Sequence, residues 1–445
     1  CQVSLEGLAT YEPAAFGPPA RDPGQLFWDP PAQTMSRDRL RGLQTARLKT
    51  LVGNVLEGRA PLFGRKVAQA GITSPNDVTD VADVNLIPTT VKQELRESEA
   101  AHPPLGEYRF TSHEECVRLG TSTGTTGTPT ITLWTRRDIW IEYESAARVW
   151  WRYGWRPGQI VTHAHPAYLY GGGVMLSACL EYFGMLNIWV PPPETDELAE
   201  QGLRMWQRVH PDVSMVAFSM GRFVEVAAKL GLSLSDDCGL PQFQLHGLGK
   251  KGLPIMTCGV EAYAYVGGPC TQGEGGHIHE DWAIVQSIDP ATGADKPEGE
   301  WGNLVVTTLD RDNGLLRYDL EEAACIIREP CPCGETTIRG FWGGRFKDLV
   351  ASQGKHFQVH EIEGALRTVE AVTTPTLEWQ VVKPTDSAAA LHVRVEFAEG
   401  DRNIVAGRCA EAIERELGIT ATIEIVERGS LTRSAYKQIR LVDAS

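Results

Sequence analysis

The sequence predicts an α/β protein in two parts, a large N-terminal part and a small C-terminal α/β lobe, and three observations predict it. Helical and strand-like periods alternate between about 138 and 230. Short strands separated by Asp-Pro and Gly turns take over after Gly259, and from about Arg345 helices and strands alternate again. At about 150 residues per domain, 445 residues make roughly two or three folding units.

The elements follow in chain order. Residues 1–32 are rich in Pro and Gly and lack periodicity, so they read as an arm over the surface. Ser36 is placed to cap a helix in which Leu40, Leu43, Ala46, Leu48, Leu51, Val52 and Val55 recur at helical spacing until Gly58. A helix is predicted over Asp138 to Tyr153, and Val161 to Val190 alternates short apolar runs around Gly171-Gly172-Gly173, as βα units do. A helix from Asp196 to Val209, a strand from Val213 to Phe218 and a helix to Leu230 complete a region expected to hold a largely parallel sheet. Strands are predicted at Ala283 to Ile288, Gly302 to Leu309 and Ala323 to Arg328. The last hundred or so residues carry helices at Val359 to Val369 and Arg402 to Leu417, with strands at Glu378 to Val382, Leu391 to Phe397 and Ala421 to Val426.

Charge narrows the function. Against 57 acidic side chains stand 42 Lys and Arg, a formal charge of -15, so the summed field repels phosphate backbones and anionic lipid heads. Neither nucleic acid nor a membrane is expected as a partner. The longest apolar stretch, Val174 to Val190, is broken by Glu181 and Asn187 and ends in three prolines, too short and too polar to span a bilayer. The opening residues have no basic segment followed by an apolar one, so no secretory signal is expected and the chain reads as cytoplasmic. Ten cysteines are too sparse for a disulfide scaffold; Cys116, Cys179, Cys238, Cys325 and Cys409 read as buried thiols. Cys270, Cys331 and Cys333 stand apart from them.

Two strings carry chemistry. In Thr121-Ser122-Thr123-Gly124-Thr125-Thr126-Gly127-Thr128-Pro129-Thr130, glycines allow close approach of the main chain while N–H and hydroxyl donors face phosphate oxygens, which suits a polyphosphate. The Gly-Lys-Ser/Thr ending of a P-loop is absent. The second string pairs Cys270 and His277 with Cys331-Pro332-Cys333. Three sulfurs and one imidazole make a closed tetrahedral ligand set, expected to hold a structural Zn²⁺; His279 is the alternative to His277 if both lie on one strand face.

These strings, with others in order, resemble the adenylate-forming superfamily of acyl-CoA synthetases, adenylation domains and luciferases, and most closely its phenylacetate-CoA ligase branch. The resemblance rests on Ser122 to Thr130 and on Phe27-Trp28-Asp29-Pro30 with Thr34-Met35-Ser36. Further along it rests on His277 to Asp281, Ile288 to Gly293, Gly302 to Leu309, Arg317-Tyr318, Gly344 to Asp348 and Leu431 to Lys437. It implies a large adenylate-forming domain over 1–343, of α/β sheets with a small β-barrel-like part, and a small mobile C-terminal α/β domain over 344–445.

The resemblance also implies a reaction. A carboxylic acid attacks the α-phosphate of ATP, and a thiol then displaces AMP. Lys437 matches the catalytic lysine, Glu261 the Mg²⁺-binding glutamate and Arg345 the hinge arginine. Ser122, Thr123, Gly124, Thr125, Thr126, Gly127 and Thr128 match the phosphate loop. Arg317 and Glu322 stand at the nucleotide-binding element, and Lys347 stands where the small domain rotates. Tyr170, Gly171 and Phe218 fall in segments that line the acid pocket and favour a small aromatic carboxylic acid. The implied cofactors are ATP, Mg²⁺ and coenzyme A, with a carrier-protein thiol or an amine as the alternative acceptor and a homodimer as a compatible assembly.

Three departures are visible. Where the family has an aromatic residue, Gly, any residue, Thr and Glu, this chain has Thr257-Cys258-Gly259-Val260-Glu261. Glu322 replaces the ribose-binding Asp, and Leu245 to Gly252 is shortened. They support a second reading, a non-catalytic zinc-stabilised descendant. A metal-dependent hydrolase is disfavoured because four protein ligands saturate zinc.

Overall fold

The computed structural model describes residues 21–122, 129–165, 171–215, 220–240, 253–254, 264–345, 349–373, 376–383, 386, 388–397, 400–432 and 440–443. The first long helix, α1 (Arg37–Leu56), begins where Ser36 Oγ accepts from Arg39 N at 3.4 Å and buries Leu40, Leu43, Leu48, Leu51, Val52 and Val55. Two helices without a sequence forecast follow: α2 (Pro61–Gln69), interrupted in pattern by Gly64, and α3 (Lys92–Ala101), which is largely polar and buries only Leu95 and Ser98. The hairpin β1 (Arg118–Thr121) and β2 (Ile131–Trp134) leads into α4 (Arg136–Arg152), opened by a Thr135/Asp138 capping box.

Next come β3 (Ile160–His163), α5 (Gly171–Phe183), β4 (Leu186–Trp189), α6 (Asp196–Val209), β5 (Val213–Ser214) and α7 (Met220–Leu230). The β-rich stretch holds β6 (Gly267–Pro269), β7 (Gly276–Ile278), β8 (Ala283–Ile288), β9 (Trp301–Thr308), β10 (Tyr318–Ile327) and β11 (Arg339–Arg345). The C-terminal lobe holds β12 (Val350–Ser352), β13 (Lys355–Phe357), α8 (Val359–Arg367), β14 (Trp379–Val382), β15 (Leu391–Phe397), α9 (Arg402–Leu417), β16 (Ala421–Glu427) and β17 (Leu441–Val442).

The chain forms two compact units. The first comprises 1–158, 167–185 and 245–343; the second comprises 159–166, 186–244 and 344–445. In the first, an eight-stranded sheet runs β8-β9-β10-β11-β7-β6, with Thr90–Val91 parallel to β10 and Leu253–Pro254 antiparallel to β11. It stands where the barrel-like part is expected. Its core joins Leu51 and Val55 of α1, Phe63 and Val67 of α2, Ile141 of α4, and Ile284, Leu304, Val306 and Tyr318 of the strands.

The second unit contains the parallel sheet β4-β3-β5, packed with α6 and α7 through Leu203, Trp206, Phe223 and Val226. It also contains the four-stranded sheet β16-β15-β14-β17 packed against α8 and α9 through Ile362, Trp379, Val393, Val395 and Ile413. Residues 159–166 and 186–244, which the expected division places in the large domain, share this unit with 344–445. Contacts such as Gly221 against Glu378 and Arg428 beside Glu225 tie α7 to the C-terminal lobe.

The parallel sheet expected between 138 and 230 is present as the three short strands β4-β3-β5, whereas the eight-stranded sheet that follows is built mainly on antiparallel pairs, because β8, β9 and β10 follow one another through short turns rather than helical crossovers. The strand expected at Ala323 starts at Tyr318, five residues earlier, across a register shift between Asn303 and Val305. Among the isolated cysteines, Cys179, Cys238, Cys325 and Cys409 are buried. Cys116 is only half-buried, accepting from Asn313 Nδ2 at 3.3 Å and donating to Ser112 O at 3.4 Å. No helix among the described residues is long and apolar enough to cross a membrane.

Candidate functional site

The cluster with the clearest geometry lies in the first unit. Cys270 follows β6, and His277 sits in β7, opposite Gly268 on one side and Arg339 on the other. Cys331 and Cys333 come from the turn between β10 and β11, closed by Gly334 N donating to Cys331 O at 3.1 Å with Gly334 at φ 86°. All four ligand atoms lie within 4.8 Å of one another. Cys270 Sγ is 3.4 Å from Cys331 Sγ, and Cys333 Sγ is 3.3 Å from His277 Nε2.

The surroundings fit a metal thiolate. Gln272 N and Gly273 N donate to Cys270 Sγ at 3.4 and 3.1 Å, and Glu335 N donates to Cys333 Sγ at 3.4 Å. The hydrogen bond from the Cys333 thiol, with others from His277 and the 272 and 273 amides, draws the Cys270 thiol far below its ordinary range despite burial. The same bond and burial raise Cys333. Gly273 is required here, since a Cβ would sit 2.7 Å from Cys331 Sγ. His277 Nδ1 faces Thr337 O at 3.2 Å and Thr337 Oγ1 at 3.1 Å, so the Nδ1–H donates to the carbonyl and leaves Nε2 as the free lone pair. Thr337 Oγ1 in turn donates to Glu335 Oε1 at 3.2 Å, and Arg152 Nη2 donates to Glu335 Oε1 and Oε2 at 2.9 and 2.8 Å. Such a second layer fixes ring orientation and ligand basicity.

His279, the alternative ligand, is not in the cluster. The strand ends at Ile278, so the same-face argument stops there; His279 Nδ1 lies instead 3.1 Å from Tyr265 O. From sequence Glu335 stands out only as following the Cys-Pro-Cys-Gly turn, and Thr337 and Arg152 are not singled out; Thr337 lies three residues past Gly334, a signal at hand, whereas Arg152 has none.

Of the candidate nucleotide and acid residues, Thr123, Gly124, Thr125, Thr126, Gly127, Thr128, Tyr170, Phe218, Glu261, Lys347 and Lys437 lie outside the described residues. Ser122 closes the neck of the Gly/Thr loop: its N donates to Thr130 O at 3.1 Å, and its Oγ accepts from Thr130 N at 3.1 Å. Gly171 opens α5 against Trp134, where a Cβ would stand 2.8 Å from the indole; Gly120, on β1, meets the same ring and Gly171 Cα. Arg317, at φ 47° and buried, donates from Nη1 to Asn85 O and Ile87 O at 3.0 and 2.6 Å, and from Nη2 to Asn85 Oδ1 and Gly293 O at 3.2 and 2.5 Å. Glu322, on β10, accepts from Trp342 Nε1 at 2.9 Å. Arg345 is the last residue of β11.

Two of the strings that carry the resemblance meet in a buried ion network. Arg148 of α4 donates to Asp281 Oδ1 and Oδ2 at 2.8 and 2.9 Å and to Asp29 Oδ2 at 2.8 Å, with its guanidinium 4.1 Å over the Trp282 ring. Trp28 Nε1 donates to Glu144 Oε2 at 2.8 Å. In the second unit, at the carboxyl end of β3, His163 is buried beside Trp189, ring centroids 5.0 Å apart.

Comparison with known proteins follows from this geometry. Residues 359–445 match the family model described as AMP-binding enzyme C-terminal domain. The chain is 29% identical to a phenylacetate-coenzyme A ligase of Thermus thermophilus, over 94% of this chain and 99% of that protein. It is 27% identical to the phenylacetate-coenzyme A ligase of Escherichia coli, over 93% and 97%. Among solved structures, a 2-hydroxyisobutyryl-CoA ligase in a postadenylation state is similar in fold, with a TM-score of 0.84 at 23% identity, over 98% of this chain and 95% of that one.

Proposed function

We propose that this chain, which belongs to the phenylacetate-CoA ligase-like branch of the adenylate-forming superfamily and is an AMP-forming acid–CoA ligase, takes an aryl carboxylic acid of the benzoate or phenylacetate kind. The observation that carries the proposal is the similarity over nearly the whole chain, and the strings Ser122 to Thr130 and Leu431 to Lys437 support it as sequence matches.

In the first step a carboxylate oxygen forms a bond to the α-phosphorus of ATP. The bond from that phosphorus to the bridging oxygen breaks, and pyrophosphate leaves with the electron pair. In the second, a thiolate sulfur forms a bond to the acyl carbon and AMP leaves with the electrons of the acyl–oxygen bond. Two anions must meet in the first step, so cationic charge and oriented N–H donors have to offset their repulsion. Lys437 bridges the carboxylate and the α-phosphate, Ser122 to Thr128 hold the phosphates, and Glu261 supplies a carboxylate for Mg²⁺. Arg345 and Lys347 stand at the turning point between the half-reactions. Tyr170, Gly171 and Phe218 are assigned to the acid pocket by the family resemblance. Glu322 takes the ribose, and Arg317, whose Nη atoms are engaged by Asn85, Ile87 and Gly293, supports the nucleotide through the strand it fixes. Cys270, His277, Cys331 and Cys333 would hold a structural Zn²⁺, which supplies folding energy and, having no open position, no Lewis acid.

Pyrophosphate release from ATP over a panel of benzoates, phenylacetates and cinnamates, with and without coenzyme A, tests this. Acid-dependent release with consumption of coenzyme A is expected, and Lys437→Ala abolishes it. Release without coenzyme A consumption would move the acceptor to a carrier-protein thiol or an amine. Silence across the panel from folded, zinc-loaded protein would favour the non-catalytic descendant, to which Val260 in place of a hydroxyl residue points.

A further inference from the structure

In the C-terminal lobe, buried charges hold the chain at 428–431 and again at Arg440. Glu396 lies near the end of β15, its side chain fully enclosed, and accepts from Gly429 N at 2.9 Å and Leu431 N at 2.8 Å. The ladder between β15 and β16 ends at Phe397 opposite Glu427, so these two amides belong to the first chain beyond it. A carboxylate there satisfies donors that the sheet no longer reaches, and charge assistance makes such bonds strong. Arg428 stands 3.8 Å from Glu396 Oε2; it donates to Thr376 O at 2.7 Å and to Thr376 Oγ1, and lies 3.8 Å from Glu225 of α7. At the far end, Arg440 donates to Trp379 O at 3.0 Å and approaches Glu363 and Glu378, both at 3.5 Å, while its carbonyl accepts from Val381 N at 2.7 Å.

We infer that Glu396 and Arg428 are positioning residues for the adenylating half-reaction. They set the direction in which the chain leaves β16 toward Lys437, and the inference rests on the reading of Lys437 given above. Lys437 contributes charge while the carboxylate oxygen bonds to phosphorus and pyrophosphate departs; it has no part when sulfur displaces AMP. A residue that holds only the stem of its segment therefore acts on the first half-reaction alone. A carboxylate that merely stabilised the lobe would affect both halves together. A misplacement on the order of 1 Å is enough to cost about 10²-fold in rate.

The test separates the halves. Glu396→Gln turns one acceptor into a donor facing an amide, and Arg428→Gln removes the brace to Thr376. Each is assayed for pyrophosphate release with phenylacetate, or with the panel acid that releases it fastest, and for thioester formation from the corresponding prepared acyl-adenylate with coenzyme A. Adenylation is expected to fall at least about tenfold, with KM for ATP and acid within about threefold and thioester formation within about twofold of the parent. Equal losses in both halves, or unchanged adenylation, would overturn the inference. If Glu396→Gln does not fold, Arg428→Gln carries the same test from a partly exposed position. Lys437→Ala, run in parallel, keeps the two ideas apart. If it adenylates at the parent rate, the reading of Lys437 itself fails; if it is inactive while both other variants adenylate normally, only the positioning role fails.

Discussion

Arg148 shows how much one buried charge can decide. Burial alone would lower its pKa, yet Asp281 and Asp29 hold it above the ordinary value, so the ion pairs outweigh desolvation. Removing the cation would leave two buried carboxylates without the guanidinium that joins them, a loss of about 3–5 kcal/mol. Arg148→Met is expected to lower the unfolding free energy from urea titration by that amount, whereas Arg37→Ala, at a half-exposed pair with Glu280, is expected to cost roughly 1 kcal/mol or less. His163 and His165 make a second prediction. Burial pushes them down to about 3 and about 4 from 6.5, so both are neutral in the fold. Between 6.5 and those values the unfolded chain binds protons that the folded chain refuses. Their contribution is therefore complete above pH 6.5 and is lost as pH falls toward 4, by up to about 1.4 kcal/mol per pH unit for each ring. Urea unfolding from pH 7.5 down to pH 4.5 should show this slope, and His163→Gln should flatten it.

At the scale of elements, the strand pair β6–β7 and the turn between β10 and β11 make the Cys/His cluster, and neither forms it alone. The turn brings Cys331 and Cys333 to one point, and the hairpin brings Cys270 and His277 to the same point. Gly273 lets the hairpin approach Cys331. Gly273→Ala is expected to lower zinc retention in competition with a chromogenic chelator by about tenfold or more, at unchanged secondary structure. Purified parent protein should contain about one zinc per chain by elemental analysis; none would remove the metal from the account. Period made most helices legible, with Ser36 the one cap read from sequence; in the structure Ser36, Thr195 and Asp401 each accept from the first turn of the helix that follows them. The helix Lys92–Ala101 was not legible, because it buries so little that its apolar period is faint.

For the whole molecule, separate cores imply separate melting. The first unit is built around Leu51, Phe63, Leu304 and Tyr318; the second carries one core at Trp206 and Phe223 and another at Trp379 and Val393. Calorimetry is expected to give an unfolding enthalpy larger than the van't Hoff value, the mark of more than one transition. All four cluster residues lie in the first unit, so a chelator should lower that unit's transition and leave the other in place. A single transition that shifts as one would contradict this.

By itself, the sequence determined what is local in chain or in chemical type. The helix Asp196–Val209 and the strand Leu391–Phe397 follow from period within a few residues. The grouping of Cys270, His277, Cys331 and Cys333 follows from residue chemistry, and the reaction class from the family resemblance that the strings from Ser122 to Lys437 carry when read in order. Tertiary structure alone decided what depends on contacts between distant segments. It chose His277 over His279, because a strand's end is set by its partners. It made the eight-stranded sheet antiparallel, joined Asp29 to Asp281 through Arg148, and set Glu396 on the amides of Gly429 and Leu431. The reason is physical: burial and pairing are properties of neighbours in space, and a one-dimensional pattern records only neighbours along the chain.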